Sequence, residues 1–234
     1  MSRNAAPDPQ VLHCDNHVIA LAKPAGMPVV PDASGDLSLL DWAKAWVKRE
    51  YNKPGEVFLG VVHRLDRPVS GIVAFGRTSK GADRLSRAWR EGTVQKEYEA
   101  RTDPPQAGRP GAVLQPGDTG ELEQWLWKDR ERNQVHAVEA DRAGAKRAHT
   151  CYRVFAVLPD GGLHLALEPV TGRSHQLRLA CAVGLGAPIR GDLKYGARQA
   201  LSSRCIDLHA ARLRFPHPTR DEEICLECPI NPAS

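Results

Sequence analysis

Short apolar runs broken by glycine or proline recur along almost the whole chain, and only three stretches carry apolar residues at helical spacing. That imbalance limits the folds open to the sequence, because a run of four to eight residues buries itself only against neighbouring strands. "HVIALAKPAGMPVV" (17–30) alternates and breaks at Pro-Ala-Gly, so it reads as a strand entering a turn. "VFLGVVHRLD" (57–66) is a nearly continuous apolar run, which predicts a strand buried on both faces. "GIVAFGRT" (71–78), "VQKEYEARTD" (94–103), "CIDLHAARLRF" (205–215) and "EEICLECP" (222–229) read as further strands. "AKRAHTCYRVFAVL" (145–158) and "GLHLALEPV" (162–170) form a hairpin around "PDGG". Helices are expected at 38–51 with Ser38 as cap, at 79–92 from Ser79 to a closing Gly92, and at 174–186, again stopping at glycine. The Pro- and Gly-rich stretch 104–121 reads as a loop or inserted edge. The fold class expected is α+β: a large mixed, mostly antiparallel sheet with flanking helices, in one domain over 11–229. Residues 1–10 are expected to be flexible, and 230–234 to form a short tail.

No run of 18 apolar residues occurs and the N-terminal segment has no apolar core, so no membrane span or signal peptide is expected. These absences predict a cytoplasmic protein without membrane partners, and the lack of coiled-coil heptads predicts a monomer. The net charge of +4 permits a polyanionic partner without demanding one. The arginines cluster in "RLSRAWREG", "KDRERNQ", "DRAGAKRAH" and "SSRC"; each alone reads as a solvated face, and several on one face would favour phosphate contacts. Six cysteines in a core-rich chain without a secretion signal predict reduced thiols. "CLEC" (225–228) supplies only two of the four ligands a structural zinc site needs, and no metal is expected.

Three stretches carry chemistry. In "HRLDRPVSG" (63–71), Asp66 stands between Arg64 and Arg67 just after an apolar run. The plain reading is a turn with a surface ion pair; the sharper one is a carboxylate kept ionised at the end of a buried strand. The other two are "KEY" (96–98) and "TGRSHQLRLACAVGLGAPIRGDLKYG" (171–196). Together with "KPAGMPV" (23–29) and "LHAARLRFPHP" (208–218), they make the chain resemble the RluA-like family of RNA pseudouridine synthases over roughly residues 11–229. One departure is Val69, where the family usually has threonine before Ser-Gly.

The resemblance implies an enzyme that isomerises uridine to pseudouridine within structured RNA, ribosomal or transfer RNA, with no cofactor. It implies base flipping, cleavage of the glycosidic bond and rejoining through carbon 5. Asp66 would be the catalytic carboxylate, as nucleophile or as base, and the two roles stay open. Arg173 would pair with it and keep it charged. Tyr98 would stack on the extruded uracil and stand where the carbon 5 proton leaves. For substrate binding, Arg64 would enter the RNA stack, Leu165 or Leu167 would pack against the base, and Lys194 would touch phosphate. His63 and His175 are read as backbone-fixing groups, Asp192 and Tyr195 as structural, and Gly71 and Gly191 as positions that a side chain would obstruct. The alternatives are a catalytically inactive RNA-binding or ribosome-assembly factor with the same fold, and a glycoside hydrolase using Glu168 as second carboxylate.

Overall fold

The computed structural model describes residues 8–201 and 205–230. Most of the N-terminal segment expected to be flexible, and most of the expected tail, lie outside the described residues. The chain divides into two compact units, one made of 1–95 and 210–234, the other of 96–209.

The first unit starts with β1 (Gln10–Cys14) and β2 (Val18–Lys23), an antiparallel pair. Helix α1 (Leu39–Glu50) follows. Ser38 caps it: its hydroxyl accepts from the Asp41 amide at 3.1 Å and donates to the Asp41 carboxylate at 2.7 Å. Lys48 and Arg49 occupy the last turn, where they oppose the negative end of the helix dipole. β3 (Gly60–Val61) and β4 (Ser70–Gly76) come next, with β4 antiparallel to both β2 and β3. Helix α2 (Ser79–Glu91) is capped by Thr78, one residue before the expected start, and ends at Gly92 with φ +74°.

The expected strand over 57–66 shrinks to the two residues of β3. Its apolar residues do not share one buried environment: Phe58 is 52% exposed and Val61 39%. Gly60 lies so close to α2 that an added Cβ would stand 2.4 Å from the Ala82 methyl. The run therefore crosses the helix as an extended connection, and Asp66 sits in a loop beyond it.

The second unit is built on five strands in the order β5-β9-β8-β6-β7. They are β5 (Gln95–Arg101), β6 (Thr119–Asp129), β7 (Gln134–Val138), β8 (Lys146–Val157) and β9 (Leu163–Pro169), every neighbouring pair antiparallel. The β8–β9 hairpin is as expected, with a register shift between Val154 and Ala156. β6 and β7 occupy a stretch whose start reads as loop and whose remainder carries arginine clusters. Helix α3 (Gln176–Leu179) widens into a π-turn at Ala180–Leu185 and stops at Gly186, φ +69°.

β10 (Leu208–Pro216) and β11 (Glu223–Glu227) return the chain to the first unit, whose strand order is β1-β2-β4-β10 with β11 on β10. The core there packs Val18, Ala20, Ile72 and Ala74 against Leu85 and Ala88 of α2 and Leu213 and Phe215 of β10. Gly71 has φ +113°, and an added Cβ would stand 2.4 Å from the Ala210 carbonyl oxygen.

Candidate active site

Asp66 is half-buried in a loop between buried Leu65 and half-buried Arg67. The turn after β2 fastens that loop. Lys23, only 1% exposed, donates from Nζ to the carbonyls of Pro24 (3.0 Å), Met27 (2.9 Å) and Arg67 (3.2 Å). The Gly26 amide donates to the Arg67 carbonyl at 2.8 Å, and Arg67 Nε returns a bond to the Gly26 carbonyl at 2.9 Å. The Val69 amide closes the loop on the Asp66 carbonyl at 3.0 Å. Upstream, His63 Nε2 accepts from the Ala74 amide at 2.9 Å while its ring stacks on Trp89 at 4.6 Å. Arg67, though adjacent in sequence, serves another loop: its guanidinium pairs with Asp32 and Asp36 and donates to Ser34. Hydrogen bonding to Arg67 holds the Asp36 carboxyl below its usual range. Arg64 is exposed and makes no hydrogen bond or ion pair with a described residue.

In the second unit, Tyr98 is half-buried on β5 directly opposite Leu167, and Ala100 lies opposite Leu165. Alternation places Lys96, Tyr98 and Ala100 on one face with both leucines. Leu165 and Leu167 are fully buried, and burial pushes the Lys96 ammonium pKa down.

The 171–196 motif is held mainly by side chains. Buried Gln176 accepts from the Thr171 hydroxyl (2.7 Å) and the Arg173 amide (3.0 Å), and donates to the His149 carbonyl and the Thr150 hydroxyl (2.9 Å each). His175 adopts φ +54°, and its Nδ1 lies 2.6 Å from the Tyr195 hydroxyl. Arg178 and Asp192 form a bidentate pair, Nε and Nη2 each 2.6 Å from a carboxylate oxygen, with side chains 7% and 1% exposed. The Arg178 guanidinium also lies 4.9 Å from the Tyr195 ring centre. Arg173 is exposed, with Nε on the Arg147 carbonyl at 3.1 Å. Lys194 Nζ donates to the Asn133 carbonyl at 2.6 Å. Gly191 has φ +81°, and an added Cβ would stand 2.5 Å from the Cys205 carbonyl oxygen.

A family model described as RNA pseudouridylate synthase matches residues 17–183. The dual-specificity RNA pseudouridine synthase RluA of Pasteurella multocida is 36% identical over 225 residues, covering 94% of this chain and 92% of that protein. RluA of Haemophilus influenzae is also 36% identical, covering 91% and 89%. Among solved structures, Human RNA Pseudouridylate Synthase Domain Containing 4 superposes with a TM-score of 0.74 at 25% identity, covering 96% of this chain and 89% of that one. This chain belongs to the RNA pseudouridylate synthase family.

The synthase is thus an isomerase acting on RNA, with the expected α+β fold. Three of its site-building residues escape a reading of the sequence. Lys23 looks like the polar end of a strand until its carbonyl partners are located. Gln176 and Arg178 lie in a recognised motif, but their burial is visible only in the fold. For metal binding, Glu121, His149 and Cys151 bring ligand atoms within 4.8 Å of one another, and His149 Nε2 already lies 2.9 Å from the Glu121 carboxylate. The CxxC pair is split by its strand: Cys225 on β11 is exposed, while Cys228 packs against the first unit's core. Extended residues three apart point to opposite faces, so these thiols do not converge. Among the described residues no helix is long and apolar enough to cross a membrane.

Proposed function

We propose that this synthase flips a uridine out of structured ribosomal or transfer RNA and converts it to pseudouridine, with Asp66 as the catalytic carboxylate. The observation that carries this reading is the clasp around Asp66: a buried ammonium and paired backbone bonds fix its loop, while Arg64 stands exposed and unengaged beside it. A carboxylate that must meet a ribose carbon or its 2′ proton needs such a fixed backbone. A guanidinium that fills the gap left in the stack must be uncommitted beforehand. The glycosidic bond breaks with Asp66 as nucleophile or base, the base turns over, and carbon 5 bonds to the sugar. The carbon 5 proton then leaves beside the Tyr98 hydroxyl; Leu165 and Leu167, fully buried opposite Ala100 and Tyr98, back that strand from the core instead of meeting the base as expected.

The motif at 172–178 offers two guanidiniums to keep Asp66 charged. Arg173 is exposed, where water screens it; Arg178 is buried and oriented by Asp192. A fixed charge in a low-dielectric setting favours an ionised carboxylate more strongly. We therefore assign that role to Arg178, in place of the Arg173 expected from the motif, and give Arg173 a phosphate contact. Lys194, engaged with Asn133, acts by holding its loop. The relatives' description as dual-specificity enzymes supports more than one RNA target here too.

The test is single-turnover pseudouridine formation on unmodified transfer-RNA and ribosomal-RNA transcripts. Asp66→Ala is expected to abolish turnover with RNA affinity nearly unchanged; residual activity together with weak binding refutes the assignment. Arg173→Ala should retain turnover at saturating RNA, and a loss as complete as that of Asp66→Ala would return the charge-pairing role to Arg173.

A further inference from the structure

Many surface cations in this chain are paired with a carboxylate. Arg147 is bound to Glu123, Arg190 to Asp160, and Arg214 to Glu223. One group of cations without a carboxylate partner among the described residues lines a cavity. A cavity of about 390 Å³ opens between the end of β6, the start of β7, the start of β8 and residues 172–174. Lys128, Arg130, Lys146 and Arg173 line it, and none of its ten lining residues is a carboxylate. Lys128, Arg130 and Lys146 are exposed and make no ion pair with a described residue. Asp129, between Lys128 and Arg130, engages its Oδ1 with the Glu131 and Arg132 amides at 3.0 and 3.1 Å. Trp127 forms part of the wall, and the Arg142 guanidinium lies 4.0 Å over its ring.

Like charges left together are unfavourable in the free protein unless an anion joins them. Two bonds hold this arrangement in place beforehand. The Val135 amide donates to the Tyr195 hydroxyl at 3.1 Å, and Lys194 Nζ donates to the Asn133 carbonyl at 2.6 Å. Both tie the β6–β7 hairpin to the 171–196 motif.

We propose that this cleft is an RNA-backbone site, in which Lys128, Arg130 and Lys146 grip phosphates of the substrate RNA. The inference rests on the RNA-modifying reading above for its ligand, and on the unpaired charges for its place. Phosphate contacts position RNA without reading its sequence, so the cleft supplies affinity and orientation while the Asp66 loop supplies chemistry. It also gives a function to two arginine-rich stretches, 128–134 and 141–149, that the catalytic motifs leave unused.

The experiment uses the full chain with Lys128→Ala, Arg130→Ala and Lys146→Ala combined, beside a control combining Lys48→Ala, Lys53→Ala and Lys80→Ala on the first unit. Binding of unmodified transfer-RNA and ribosomal-RNA transcripts is measured across a salt series, and pseudouridine formation in single turnover at saturating RNA. The cleft variant is expected to bind on the order of ten- to a hundredfold more weakly, with a slope of log K against log salt reduced by about 1 for each phosphate no longer gripped. Its saturating rate should stay within about twofold of the parent, and the control should bind almost as tightly as the parent. Unchanged affinity and slope in the cleft variant, or equal weakening in the control, overturn the proposal. If the parent binds RNA but forms no pseudouridine, the catalytic reading fails, while the binding comparison still decides the cleft.

Discussion

Replacing Asp192 by alanine removes the carboxylate that takes both Nε and Nη2 of Arg178, each at 2.6 Å. With the Arg178 side chain only 7% exposed, water cannot take over that role without opening the structure. Breaking a buried ion pair by removing one of its members costs about 3–5 kcal/mol, a large part of the roughly 5–15 kcal/mol that holds a typical domain folded. The assay is urea unfolding followed by far-ultraviolet circular dichroism. At a slope near ~3 kcal/mol per molar, the midpoint should fall by about 1–1.7 M. Asp192→Asn keeps the shape and one acceptor oxygen but loses the charge assistance, so it should fall between parent and alanine variant. Both variants should also lose pseudouridine formation under conditions where they remain folded, because the guanidinium assigned to Asp66 is no longer held. A midpoint within the equivalent of about 1 kcal/mol of the parent would refute the argument, since it would mean that the pair is solvated or replaceable.

Gly71→Ala combines a positive φ with a Cβ that would stand 2.4 Å from the Ala210 carbonyl oxygen. Strain of about 1–3 kcal/mol and overlap of similar size should lower the thermal midpoint by several degrees or more, and a calorimetric midpoint equal to the parent's would contradict this. Burial of Asp15 opposes its ionisation but is outweighed by bonds from the His17 and Val18 amides and from His217 and His13, so its pKa lies far below the ordinary value. A depressed carboxylate pKa adds stability that is fully present above the unfolded value near ~4 and fades as pH falls below it. Asp15→Asn should therefore be less stable than the parent at neutral pH, with the gap narrowing in acid; a gap constant from pH 7 to 3 in chemical unfolding would count against it.

The legible parts of the fold are those governed by local chemistry. Ser38 before an amphipathic stretch and Gly92 after one mark helix ends because caps and left-handed residues act within a turn. The 57–66 run misleads because an apolar composition does not distinguish a buried strand from a connection crossing a helix, and the closeness of Gly60 to Ala82 is visible only in the fold. β6 is missed because it begins inside a Pro- and Gly-rich stretch and its charged residues, Glu121, Glu123, Lys128 and Asp129, interrupt any apolar alternation. At the site, Asp66, Tyr98 and the 171–196 motif stand out through ordered spacing. The clasp of Lys23 and the burial that separates Arg178 from Arg173 depend on which distant carbonyls and carboxylates the fold delivers, and no local pattern encodes that.

The first unit draws its strands from both ends of the polypeptide, with residues 96–209 intervening. During synthesis, β4 emerges long before its neighbour β10, so one edge of the early sheet stays unsealed while more than a hundred further residues are added. The second unit, continuous in sequence, has all its strands available first. Gly71, just after the clasped Asp66 loop, packs on Ala210, so that side of β4 is sealed only when the last strands arrive. Translation thus makes the β4–β10 seam one of the last parts of the first unit to set, and a ribosome that stops before residue 210 releases a chain with an open sheet edge prone to aggregation.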